Sequence, residues 1–123
     1  MSEQEIDRKI TVIFATDVVG YSKHMEADES GTVKNLRACD KILTGLFQKH
    51  KGCLFNTGRD SFLAEFPSAV SAVESAVEFQ KAISERNSSD ETSVKLQFRI
   101  GINSGGVIKE KDNLLGDGVN IAA

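Results

Sequence analysis

Two aspartates stand where carboxylates can do metal chemistry. Asp17 closes the β-branched run Ile10-Thr11-Val12-Ile13-Phe14-Ala15-Thr16, and Asp60 lies in the turn-rich stretch Asn56-Thr57-Gly58-Arg59-Asp60-Ser61. Carboxylates converging from two strand ends suit Mg²⁺, which takes oxygen ligands in an octahedron and commonly combines one or two carboxylates with phosphate oxygens and water. The backbone carbonyl of Val18 is a candidate third ligand. Beyond it the loop Val19-Gly20-Tyr21-Ser22 leads toward a helix, where free backbone N–H groups would hold phosphate. Taken singly, each aspartate reads as a strand-end or turn residue bonding its local backbone. They become a site only if the elements carrying them are neighbours.

The pattern supplies such elements. The run ending at Asp17 predicts a central strand covered on both faces. A helix is expected over 29–50, with Val33, Leu36, Cys39, Leu43 and Phe47 at spacings of three and four and Gly52 as its stop. Strand-like runs at 53–55 and 62–66 form a hairpin with Asp60 at its tip. Ser68 is a good N-cap for a helix ending near Asn87, with Val70, Val73, Val77 and Ile83 and the interleaved alanines as its buried stripe. After a polar loop over 86–92, a strand is expected over 94–102. The turn-like Asn103-Ser104-Gly105-Gly106 then leads into Val107-Ile108 as a second hairpin.

The order β-α-β-β-α-β with an added strand predicts an α+β, ferredoxin-like split βαβ fold, an antiparallel sheet with helices on one face. In that topology the first and third strands are adjacent at the sheet centre, so Asp17 and Asp60 converge at one edge.

Composition narrows the function classes. The chain has 123 residues and a formal net charge of -3, from 15 Lys and Arg against 18 Asp and Glu. An acidic balance without a Lys/Arg stripe argues against nucleic-acid binding. No apolar stretch reaches the roughly 20 residues that span a bilayer, and the charged stretch 1–9 has no signal-peptide core behind it, so a cytoplasmic location is expected. Cys39 and Cys53 have no metal-ligand spacing and read as free, packed thiols. His24 and His50 lack triad partners and read as surface or helix-end residues.

Four segments carry a resemblance: Phe14-Ala15-Thr16-Asp17-Val18-Val19-Gly20-Tyr21-Ser22, Gly58-Arg59-Asp60-Ser61-Phe62-Leu63, Phe98-Arg99-Ile100-Gly101-Ile102-Asn103-Ser104-Gly105 and Gly116-Asp117-Gly118-Val119-Asn120-Ile121-Ala122-Ala123. In order, they resemble the signature blocks of class III adenylate/guanylate cyclase catalytic domains. The resemblance implies that Asp17 and Asp60 hold two metal ions per site, Mg²⁺ or Mn²⁺, and that Asn120 orients the ribose. It further implies attack of the ribose 3′-oxygen of ATP or GTP on the α-phosphate, with loss of pyrophosphate, in a homodimer whose subunits share each site.

Departures from the family pattern sharpen this expectation. The base-reading lysine and aspartate of adenylate cyclases map onto Asn56 and Asn113, so the choice between ATP and GTP is not carried over. The arginine that stabilises the pentavalent phosphate would follow Ala123, so residues 1–123 read as one cyclase domain lacking its C-terminal part, weak or inactive alone. Arg59 stands where the family has glycine; it either strains the turn and competes with metal for Asp60, or points to solvent. A module that dimerises or binds nucleotide without turnover is the alternative. A diguanylate-cyclase-like reading fits the hairpin motif but not the other three blocks.

Overall fold

A computed structural model describes residues 7–89, 94–110 and 113–115. Along the chain run β1 (Asp7–Val18), α1 (Tyr21–Ala27), α2 (Glu29–Lys49), β2 (Cys53–Thr57), β3 (Ser61–Phe66), α3 (Ala69–Asn87), β4 (Phe98–Glu110) and β5 (Asn113–Leu115). They form one antiparallel sheet in the order β2-β3-β1-β4-β5. This is the expected βαββαβ core with an added strand, and β1 is central.

The helices start where local hydrogen bonding dictates. Asp28 accepts from the Gly31 amide at 2.9 Å to cap α2, and Ser68 accepts from the Ser71 amide at 3.1 Å to cap α3. At the far end of α2 the left-handed residue is Lys51, with φ 65°, not the expected Gly52. Gly52 serves a different need, because a Cβ there would lie 2.6 Å from Cζ of Phe66. That ring is fixed by Phe14 and Phe47, with centroids 5.3 to 5.6 Å apart around the trio. Leu36, Cys39, Leu43 and Phe47 of α2 and Phe79 and Ile83 of α3 pack with them on Val12, Val18, Phe62 and Ala64 of the sheet.

Three expectations are corrected. On α3, Val70, Val73 and Val77 are exposed, and the buried residues are Ala72, Ser75, Phe79 and Ile83. The helix carries two stripes at helical spacing; Phe79 packing edge-on against Phe98 at 4.9 Å anchors one, and small Ala72 and Ser75 let its first turns approach the sheet. The strand expected over 94–102 begins only at Phe98, and β4 then runs through 103–106 without turning, so the second hairpin closes later, between β4 and β5. Carbonyls before Phe98 are taken from the ladder by other donors: Asn35 Nδ2 reaches Val94 O, Asn87 Nδ2 reaches Leu96 O and the Val19 amide reaches Gln97 O. Of the two thiols, Cys39 is buried as expected but Cys53 is exposed on edge strand β2.

The face of the sheet away from the helices is not flat. The two edge strands β2 and β5 approach within 8 Å between Cα atoms, so the sheet curls over that face. Ile13 points there and is nonetheless fully buried. Among the described residues, no helix is long and apolar enough to cross a membrane.

Candidate functional site

Strand pairing decides whether the two aspartates meet. Asp17 lies opposite Ser61 on β3, one residue from Asp60, and opposite Arg99 on β4. Residues alternate faces along β1, so with Val12, Phe14 and Val18 turned to the helices, Asp17 points to the curled face with Ala15 and Ile13. Asp60 reaches back to the same strand end, accepting from the Val18 amide through Oδ2 at 3.4 Å. The two carboxylates therefore share one end of the sheet.

Arg99 joins them, and sequence reasoning gave it no role. Its Nε donates to Asp17 Oδ1 at 2.9 Å and its Nη2 to Asp17 Oδ2 at 3.0 Å, a two-pronged pair at directly opposed positions. Hydrogen bonding to Asp17, then the charge of Asp17 and that of Asp60, hold the guanidinium still more firmly protonated. The available signal was register: once β1 and β4 pair antiparallel, positions 17 and 99 face each other. Arg59 is exposed and takes no part in this pairing, and neither Gly58 nor Arg59 has a positive φ, so of the two alternatives for Arg59 the structure fits the solvent-facing one.

Around the pair lies a cleft of about 510 Å³ bordered by Ala15, Asp17, Asn56, Gly58, Ser61 and Arg99, drawn from β1, β2, β3, β4 and the turn between β2 and β3. A larger depression of about 940 Å³ follows α2 and its cap, from Asp28 to Lys41. It draws on one helix surface alone, whereas the smaller cleft gathers polar groups from four strands. The smaller one has the chemistry.

The remaining expected residues fall into three groups. Asn56 borders the cleft. Val19 and Gly20 lead out of β1 beside it; Gly20 sits at φ 65° as the N-cap of α1, which its side-chain-free backbone permits. Tyr21 is partly buried against the core, and Ser22 lies exposed inside α1, not at its cap. Asn113 is placed opposite Glu110 by backbone pairing only, and Asn120 lies outside the described residues. His50 ties α2 to α3, with Nε2 at 2.8 Å from Glu78 and Nδ1 at 3.6 Å from Glu74. That is a structural bridge between helices, in keeping with its helix-end assignment.

Among the described residues no group of three or more His, Cys, Asp or Glu side chains gathers to hold a metal. Two carboxylates at one strand end are of the oxygen-donor type that Mg²⁺ takes alongside water and phosphate.

The chain has relatives of known sequence and structure. A Rhizobium meliloti (strain 1021) protein named "Putative adenylate cyclase 3" is 40% identical over 124 residues, covering 100% of this chain. The adenylate/guanylate cyclase/hydrolase from Silicibacter pomeroyi superposes with a TM-score of 0.86 at 30% identity, over 96% of this chain and 69% of that one. The chain belongs to the class III adenylate/guanylate cyclase family. The adenylyl cyclase CyaB from P. aeruginosa, TM-score 0.82 at 22% identity over 96% of this chain and 71% of that one, agrees in fold. No family model matches the chain. The chain spans 21% of the length of the Rhizobium cyclase relative.

Proposed function

We propose that this chain is the catalytic-site portion of a nucleotidyl cyclase that converts ATP, or GTP, to a 3′,5′-cyclic nucleotide and pyrophosphate. The observation that carries the reading is that Asp17 and Asp60 both lie at one end of β1, Asp60 through the Val18 amide and Asp17 in a cleft it shares with Asn56 and Arg99. Asp17, Asp60 and the Val18 carbonyl would hold two Mg²⁺ or Mn²⁺ ions. When bound, such ions supply Lewis-acid activation of the ribose 3′-hydroxyl and charge neutralisation on the triphosphate.

The chain's own groups position and bind. Of the loop Val19-Gly20-Tyr21-Ser22, the Val19 amide is taken by Gln97 O, and the backbone N–H groups of Gly20, Tyr21 and Ser22, at the opening of α1, would take phosphate oxygens, since the first turn of a helix leaves its donors without internal acceptors. Asn56 and Asn113 take the base-contacting positions; their amides can donate and accept, and so do not by themselves select adenine over guanine. Asn120 would orient the ribose in a homodimer where one subunit gives the aspartates and the other the asparagine.

The test is cyclic AMP and cyclic GMP formation from ATP and GTP with Mg²⁺ or Mn²⁺, on this chain and on one continued beyond Ala123. Product formed by the longer form and abolished by Asp17→Asn or Asp60→Asn supports the reading. A longer form that dimerises and binds nucleotide but makes no product favours the second reading, a silent cyclase-homology module. The observation that speaks for that second reading is the occupation of both Asp17 oxygens by Arg99.

A further inference from the structure

Arg99 and a divalent ion have the same partner. Both carboxylate oxygens of Asp17 accept from the Arg99 guanidinium, at 2.9 and 3.0 Å. An ion bound to either oxygen would sit about 2 Å from it. A doubly charged ion would then lie within a few ångström of a guanidinium that cannot lose its proton, and like charges at that separation repel even through water. Asp60 is held differently, with only a 3.4 Å approach from the Val18 amide.

The arginine is also free to leave. Its side chain is 70% exposed, against 33% for Asp17, so releasing it into solvent strands no buried charge. We propose that Arg99 is a positioning residue that acts as a cationic latch on Asp17: pairing with Arg99 and binding of a divalent ion exclude one another, and Asp60 engages the ion before Asp17 is released. This rests on the reading of Asp17 and Asp60 as metal-holding residues. The latch sets how much divalent ion the site needs, independently of any turnover.

The experiment is Mn²⁺ binding to the chain without nucleotide, followed by the electron paramagnetic resonance of free Mn²⁺, for the wild type, Arg99→Gln, Arg99→Lys and Asp17→Asn. Removing the competing charge is expected to tighten binding roughly two- to fivefold in Arg99→Gln, the range of an exposed ion pair, and the gain should shrink with added salt. Arg99→Lys keeps the charge without the fork and should fall between. A merely structural role predicts the opposite sign. In the wild type, Mg²⁺ should shift the Arg99 Nε–H resonance and speed its exchange with water. Unchanged or weaker Mn²⁺ binding in a folded Arg99→Gln chain, or an Arg99 resonance indifferent to bound Mg²⁺, overturns the latch while leaving the metal site standing. Mn²⁺ binding that is undiminished in Asp17→Asn, or absent from wild type and Arg99→Gln alike, overturns the metal site itself and the latch with it.

Discussion

Asp40, on the helix side of the molecule, predicts a pH dependence of stability. It lies half-buried on α2, and its Oδ1 is buried without a hydrogen-bond partner among the described residues. Burial raises its pKa from 3.8 to about 6. The folded chain therefore holds this proton more tightly than the unfolded one. The stability is fully present below about pH 4, declines as pH rises toward 6, and levels off above. A shift of about two units corresponds to a ceiling of about 3 kcal/mol at 1.36 kcal/mol per unit. Half the group still meets solvent, which reduces the expected effect to about 1 kcal/mol. Asp40→Asn keeps the shape and removes the charge, so the variant should be more stable than wild type by about 1 kcal/mol at pH 7.5 and nearly equal to it at pH 4. Urea denaturation of both proteins across that range, with unchanged m-values, measures the difference and cancels the other carboxylates. A difference that does not change with pH, or an asparagine variant that is less stable at pH 7.5, refutes the burial argument.

Other outcomes follow from burial and close approach. Burial pushes the Cys39 thiol up to about 11, while Cys53 is exposed, so a thiol reagent should label Cys53 in the native chain and reach Cys39 only in denaturant. Gly52→Ala should destabilise by about 1–3 kcal/mol in chemical denaturation, because its new Cβ meets a Phe66 ring locked between Phe14 and Phe47. Val73→Ser should stay within about 0.5 kcal/mol of wild type, and Phe79→Ala should cost about 3–5 kcal/mol, since only the second residue is buried; the same denaturation curves check both.

The helix and strand order was readable because it rests on local pattern. Leu36, Cys39, Leu43 and Phe47 repeat at helical spacing over a long stretch, and the β-branched run through Ile13 suits a central strand. Where local pattern offered two answers, it misled. On α3 the valines form as good a stripe as Ala72, Phe79 and Ile83, and the choice between them was made by the Phe98 ring and by how closely small side chains let the helix approach. Turn-prone residues at 103–106 likewise yielded to pairing, because Gly105 and Gly106 lie opposite Thr11 and Ile10 in an unbroken ladder. Propensity is weaker than a neighbouring strand's hydrogen bonds.

At the cleft the same division separates the carboxylates from the guanidinium. Asp17 and Asp60 were legible because each ends a strand or tips a hairpin, a position fixed by residues nearby in sequence. Arg99 was not, because its meaning comes from a partner 82 residues away and from a register that no local pattern states. A shift of one residue in the pairing of β1 with β4 would turn Arg99 to the helix face and leave Asp17 unpaired. The register is held by burial on both faces of β1, Val12, Phe14 and Val18 toward the helices and Ile13 and Ala15 on the opposite side, so the core that stabilises the sheet also fixes which cation faces the first aspartate. On the proposed metal-holding reading, the affinity of this site for a divalent ion would thereby be coupled to core packing as well as to the two carboxylates.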